Sequence, residues 1–162
     1  MTSHDGSVQV WLALMQARVA LEDTLGTELE AKTDLPLSWF EVLMRLSLAE
    51  DGRMRMNDLA GVALLSKSGL TRLCDRIEAA GYIRRVDCPT DRRGVHAEIT
   101  AEGRAIAERA RVVFERAVVE HIGAHLSATE QATLTKALGK LAASNPCSRI
   151  PKNEGFRSSS QR

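Results

Sequence analysis

The chain has 162 residues, 44% hydrophobic and 27% charged, an ordinary composition for one globular domain that excludes disorder throughout and needs neither disulfide nor metal to hold a core. The net charge of +1 is unevenly spread: residues 1–52 carry 3 Lys/Arg against 9 Asp/Glu, residues 53–104 carry 10 against 7, and residues 105–162 carry 9 against 5, so an anionic partner belongs to the middle or end of the chain. The longest unbroken apolar run, Val10 to Met15, falls far short of the roughly 20 residues that span a bilayer, the acidic start lacks a signal peptide's basic region, and the widely spaced Cys74, Cys88 and Cys147 read as free thiols, so a cytoplasmic protein without membrane contact is expected.

Apolar residues recur with the helical period from Val8 to about Ala31, as Trp11, Leu14, Met15, Leu21, Leu25 and Leu29. After Pro36, Ser38-Trp39-Phe40-Glu41 reads as a capping box, with Leu37 and Val42 as its hydrophobic staple. It predicts a second helix from Trp39 through Val42, Leu43, Leu46 and Leu48 to a turn at Asp51-Gly52. Arg53 to Met56 has room for a short strand, and Asn57 is placed to cap a brief helix carrying Leu59, Ala60 and Ala63. Ser66 caps the next helix, whose apolar stripe of Leu70, Leu73, Cys74 and Ile77 ends at Gly81, just past the C-terminus where a left-handed backbone is wanted. From Tyr82 the period becomes two: 82–87 and 95–99 read as strands joined by the polar loop Pro89-Thr90-Asp91-Arg92-Arg93-Gly94. Thr100 caps a long helix from 101 to about 123, with Ile106, Ala110, Val113, Phe114 and Ala117 or Val118 inward. Ser127-Ala128-Thr129-Glu130 is a further capping box opening a last helix with Leu134, Leu138 and Leu141 on one side; beyond Ala143 no periodicity remains.

This order describes a mainly α (α+β) chain built on a helix-turn-helix followed by a β-wing. Residues 35–100 form the winged region, 8–34 and 101–143 a helical region, 1–7 a flexible start and 144–162 a tail. The first and last helices carry more apolar surface than so small a winged core covers, which predicts that they cover each other in a homodimer.

The helix after Ser66 leaves Lys67, Ser68, Thr71, Arg72, Asp75 and Arg76 on its outward face. Its N-terminus offers unpaired N–H groups to a phosphate, and its side chains supply donors for phosphate oxygens and base edges. A solvated helix face would look the same taken alone. The hairpin decides between them: adjacent guanidiniums at Asp91-Arg92-Arg93-Gly94 serve no structural need, whereas a narrow minor groove attracts Arg strongly. Double-stranded DNA is the expected partner. A wing that bound protein would expose aromatic or aliphatic anchors where this one exposes Arg92 and Arg93. A protein-interaction module is therefore the lesser alternative. The glycines form no phosphate-loop spacing and no HExxH occurs, so no enzyme is expected.

Leu70-Thr71-Arg72 with Asp75-Arg76, Gly81-Tyr82-Ile83, Arg84-Arg85, Pro89, Asp91-Arg92-Arg93-Gly94 and the closure Ile99-Thr100-Ala101-Glu102-Gly103 resemble the winged helix-turn-helix of the MarR family of bacterial transcriptional regulators. The resemblance covers residues 8–143 in element order and 64–103 almost motif for motif. It implies a homodimer on a palindromic operator, acting as a ligand-responsive repressor. The helix from Ser66 would lie in the major groove and the wing tip in the flanking minor groove, with Asp91 aiming Arg93 beside Arg92. Thiol-sensing relatives place a reactive cysteine in the first helix, and this chain has none there. Cys74 lies on the buried stripe and reads as packing; Cys88 beside Pro89 reads as a bystander. His121 and His125 would share a helical face only if the helix continues past Gly123, and no third ligand can be named, so neither metal nor cofactor is expected. Trp11, Met15, Trp39, Phe40 and Met44 are the candidates for a small-molecule effector pocket, with ordinary core packing as the competing reading.

Overall fold

The computed structural model describes residues 4–62, 67–88 and 91–145, and within them the side chains of 6–60, 68–87 and 95–145. Helix α1 (His4–Thr33) outruns its apolar stripe at both ends. Among its described side chains only Leu25 and Leu29 are buried, while Leu14, Met15 and Leu21 are half-buried and residues 6–13 are exposed.

Helix α2 (Leu37–Leu48) starts two residues before the expected Trp39, with Pro36 as its N-cap and no side-chain cap. The Ser38 capping box therefore does not form. The Pro36 carbonyl accepts the N–H groups of Trp39 and Phe40 at 2.9 and 3.0 Å, which places Ser38 inside the first turn instead of ahead of it. Phe40, Val42, Leu43 and Leu46 are buried. Leu48, expected inward, is 54% exposed where the helix ends. A single 3-10 turn, Glu50–Gly52, leads into strand β1 (Arg53–Arg55) and helix α3 (Met56–Val62). Asn57 thus lies within the first turn of α3 rather than capping it.

Helix α4 (Lys67–Ala79) buries Leu70, Leu73, Cys74 and Ile77, as the stripe requires. Its C-terminus closes as a Schellman motif: the Tyr82 N–H donates to the Ile77 carbonyl at 3.1 Å and the Gly81 N–H to that of Glu78 at 2.9 Å. Gly81 takes φ +82, the left-handed region a Cβ disfavours. The chain then enters strand β2 (Ile83–Cys88), and β3 (Asp91–Ile99) returns antiparallel between β2 and β1, giving a three-stranded sheet of order β1-β3-β2.

Asp91 to Gly94 belong to strand β3 instead of the expected loop. The register steps from Cys88 opposite Asp91 to Asp87 opposite Val95, so Arg92, Arg93 and Gly94 face no residue of β2. They form a bulge near the tip of the wing. The polarity of Asp91 to Gly94 predicts a loop; of the four only Asp91 has a partner on β2, and that pairing is indifferent to side-chain polarity.

Thr100 caps helix α5 (Ala101–Val118), accepting the Gly103 N–H at 3.0 Å as expected. The same hydroxyl donates to the Gly81 carbonyl at 2.8 Å, and the Thr100 N–H donates to the Tyr82 carbonyl at 3.0 Å. The start of α5 is thereby tied to the end of α4. Gly103 permits this approach, because a Cβ there would lie 2.0 Å from the Tyr82 carbonyl oxygen. Ile106, Ala107 and Ala110 of α5 join Phe40, Val42, Leu43, Leu46, Leu59, Leu73, Ile77, Ile83 and Ile99 in one core. After Val118 the helix widens into a π turn, Val119–Gly123. Helix α6 (Ala128–Ser144) opens with the expected capping box, in which Ser127 and Glu130 satisfy each other's backbone N–H. No residue of α6 is buried.

Candidate nucleic-acid interface

The buried stripe of α4 fixes which of its side chains face out. Residues 68, 72 and 76 repeat every four positions along the side opposite Leu70, Leu73 and Ile77, and all three are exposed, as is Thr71. The side chains of Arg72 and Arg76 enter no ion pair or hydrogen bond among the described residues, so both guanidiniums stand available to an anion on the solvent side of α4. Ser66 lies outside the described residues, as do the side chains of Lys67, Asp91, Arg92 and Arg93.

Asp75, which the sequence places on the outward face, is exposed there and is also paired with Arg85 of β2. The Arg85 guanidinium donates to Asp75 Oδ1 at 2.6 Å and to Glu78 Oε2 at 2.7 Å. Glu78 Oε1 in turn accepts the Arg85 backbone N–H at 2.8 Å, and the same guanidinium reaches the Thr71 carbonyl at 3.4 Å. Hydrogen bonding to Asp75 holds the Arg85 guanidinium above its ordinary range, with the Glu78 and Asp75 charges acting in the same sense against burial. Sequence reading quoted Arg85 only within a motif. The signal that could have found it is the pair of acids three apart on α4, seven and ten residues ahead of an Arg across a glycine-terminated turn.

The opposite face of the sheet carries a second ion network. Arg53, Glu98 and Arg84 stand in register on β1, β3 and β2, with Glu98 accepting from Arg84 at 2.6 Å and pairing with Arg53 at 3.3 Å. The Arg84 hydrogen bond holds the Glu98 carboxyl below its ordinary range, Arg53 adding to it.

The remaining sequence candidates fall out differently. Cys74 is fully buried, and burial pushes its thiol up to about 11, which leaves it inert at neutral pH. His121 lies in the π turn and meets Glu28 of α1 at 3.0 Å, whereas His125 is exposed beyond that turn. Among the described residues no three His, Cys, Asp or Glu side chains converge as a metal would need.

Of the effector candidates, Phe40 packs into the core against Phe114, ring centroids 5.0 Å apart. Trp39 stands edge-on to Tyr82 at 6.3 Å, Met44 and Met15 are half-buried, and Trp11 is 60% exposed. Trp39, Phe40 and Met44 thus line one helix against the core, and Trp11 lies well outside it. Two open polar cavities border the sheet. One, of about 280 Å³, is lined by Glu50, Asp51, Arg53, Val86, Asp87 and His96; the other, of about 350 Å³, by Arg84, Glu98 and residues 99–102.

With this geometry in place, likeness to known proteins is informative. The MarR family model matches residues 33–94, spanning α2 to the wing. The multiple antibiotic resistance protein MarR of Salmonella typhimurium is 30% identical over 120 residues, covering 74% of this chain and 82% of that protein. The chain belongs to the MarR family of transcriptional regulators. The homoprotocatechuate degradative operon repressor of Escherichia coli is likewise 30% identical, over 78% of this chain and 83% of its own. In three dimensions the chain matches Sco3205, a MarR family regulator of Streptomyces coelicolor solved in complex with DNA. That match has a TM-score of 0.79 and 29% identity, covering 93% of this chain and 92% of that one. The mainly helical winged fold expected from sequence is therefore the MarR fold. No helix among the described residues is long and apolar enough to cross a membrane.

Proposed function

We propose that this MarR-family protein is a cytoplasmic, homodimeric repressor that binds a palindromic operator in double-stranded DNA. Residues 35–100 form the reading region, 8–34 and 101–143 the dimerisation region, and 1–7 and 144–162 flank them. In each subunit α4 enters the major groove, with Ser66, Lys67, Ser68, Thr71, Arg72 and Arg76 on bases and phosphates. The wing places Arg92 and Arg93 in the neighbouring minor groove, with Asp91 orienting Arg93. The observation that carries this reading is the exposed line of Ser68, Arg72 and Arg76 along α4, its two guanidiniums without a described partner. Likeness to a regulator solved on DNA supports it.

The dimer rests on apolar surface. Val8, Val10, Trp11, Leu12 and Val19 of α1 and Leu134, Leu138 and Leu141 of α6 are exposed in the single chain. Burying such a surface against its two-fold copy stabilises association by about 25 cal/mol per Å² removed from water. A small-molecule effector binding beside Trp11, Met15, Trp39, Phe40 and Met44, between α1, α2 and the wing, would release the operator by favouring another spacing of the two α4 helices. Selecting duplexes from a random pool with purified protein tests the central reading. A recovered inverted repeat supports it, and a pool that stays random at moderate salt refutes it.

A further inference from the structure

Asp75 lies seven residues, two helical turns, after Ser68 and so projects along the same outward line of α4. Glu78 lies on the flank between that line and β2. Two carboxylates beside the reading surface would repel phosphates and oppose the attraction of Arg72 and Arg76. In the structure neither is left bare. The Arg85 guanidinium spans both, at 2.6 Å to Asp75 and 2.7 Å to Glu78, and Glu78 is also fastened by the Arg85 backbone N–H at 2.8 Å. A planar fork with five donors can serve two carboxylates and a carbonyl at once, which a lysine ammonium cannot match in geometry.

We propose that Arg85 is a positioning residue for DNA binding: it pairs with the Asp75 and Glu78 carboxylates and holds them against β2, halving the negative charge that α4 carries beside Arg72 and Arg76. The inference rests on the operator-binding reading above and names a residue outside its set of DNA contacts. Arg85 acts through Asp75 and Glu78, without touching the nucleic acid. The partial exposure of the pair, 30% for Arg85 and 53% for Asp75, leaves it weak as a contribution to folding. A phosphate backbone approaching within a few ångströms feels the bare charges fully.

The test uses the full chain and the tightest duplex recovered by selection with the wild-type protein. Affinity is measured across a salt series for wild type, Arg85→Met, Asp75→Asn/Glu78→Gln, and the triple variant combining them, each checked by thermal unfolding. Arg85→Met should bind at least about tenfold more weakly, and the triple variant should regain most of that loss, because the carboxylates that Arg85 masked are gone. A purely structural role for Arg85 would not be rescued this way, since the triple variant lacks the tether as well. The double variant lacks the two carboxylates that Arg85 masks and should bind the duplex at least as tightly as wild type, since the removed charges only oppose the phosphates. This keeps the proposal testable if Arg85→Met fails to fold. Unchanged affinity in Arg85→Met, a triple variant as weak as Arg85→Met, or a double variant that binds more weakly than wild type would overturn the proposal. Wild-type protein that retains no duplex would instead overturn the operator-binding reading, and this proposal with it.

Discussion

Replacing Gly103 with alanine probes the contact that joins α5 to the end of α4. A Cβ at Gly103 would lie 2.0 Å from the Tyr82 carbonyl oxygen and 2.9 Å from Ile99 Cγ1, where real Cβ atoms keep at least 3.0 Å. The nearer neighbour is backbone and cannot swing aside, so α5 or the 81–82 turn must retreat by about 1 Å, a shift on the scale of core overpacking that costs roughly 1–3 kcal/mol. The retreat strains the Thr100 N–H bond to that same carbonyl, 3.0 Å in the structure, at about 1 kcal/mol more. Alanine's better helix propensity returns up to about 1 kcal/mol. The net expectation is a loss of about 1–3 kcal/mol, or roughly 2–12 °C in melting temperature for a chain of this size. Gly26→Ala is the matched control, because a Cβ there would meet Leu37 at 3.6 Å, an ordinary contact, and should gain about 0.5–1 kcal/mol. Urea titrations followed by far-UV circular dichroism, at one fixed protein concentration, measure both. A Gly103→Ala midpoint equal to or above wild type, or a shift of the same sign in both variants, would refute the packing argument.

Arg72→Ala should cost about 1–3 kcal/mol of operator affinity and relax preference at one base position if Arg72 reads a base edge. Arg76→Ala should weaken all duplexes alike and lower the salt slope by about 0.9 if Arg76 meets a phosphate; binding titrations on operator and scrambled duplexes distinguish these roles, and unchanged affinity in both variants would remove α4 from the interface. Cys74 should resist alkylation at pH 8 until the chain is unfolded, as peptide mass mapping would show; ready labelling in the native state would contradict its burial. Its thiol is raised from 9.0 to about 11 in the folded chain, so the folded state holds the proton more tightly. Stability relative to Cys74→Ala should therefore be constant below pH 9 and fall between pH 9 and 11. Light scattering should give twice the 17.7 kDa chain mass, and Leu138→Asp should shift it toward one; a wild-type monomer at micromolar concentration would exclude the two-headed reading.

Most of the architecture was legible because its signals are local. The Thr100 and Ser127 caps, the α4 stripe and the Gly81 terminus each depend on residues within one or two turns, and each appears where the pattern puts it. Two starts were misplaced for equally local reasons: Pro36 supplies the first helical carbonyl before Ser38 can cap, and α3 begins at Met56 ahead of Asn57. Asp91 to Gly94 read as a loop because the one pairing there, Asp91 with Cys88, is made by backbone, which carries no side-chain periodicity. The site divides along the same line. Ser68, Thr71, Arg72 and Arg76 follow from the helical period once the buried stripe is known. The outward place of Asp75 follows from the same period, but its bond to Arg85 does not, because that bond links α4 to β2 across the Gly81 turn and no period relates a helix to a strand. Long-range pairs such as Glu28 with His121, 93 residues apart, are beyond pattern reading altogether.

The central claim is that two copies of α4, held by one dimer, read two half-sites on the same face of a duplex. Its most direct test is to insert about 5 base pairs, half a helical turn, between the half-sites of the selected operator, and then about 10, a full turn. The account predicts that the half-turn insertion abolishes tight binding by turning one half-site to the far side of the duplex, and that the full-turn insertion restores part of it. Equal affinity for all three spacings would contradict the account, because each subunit would then be binding alone.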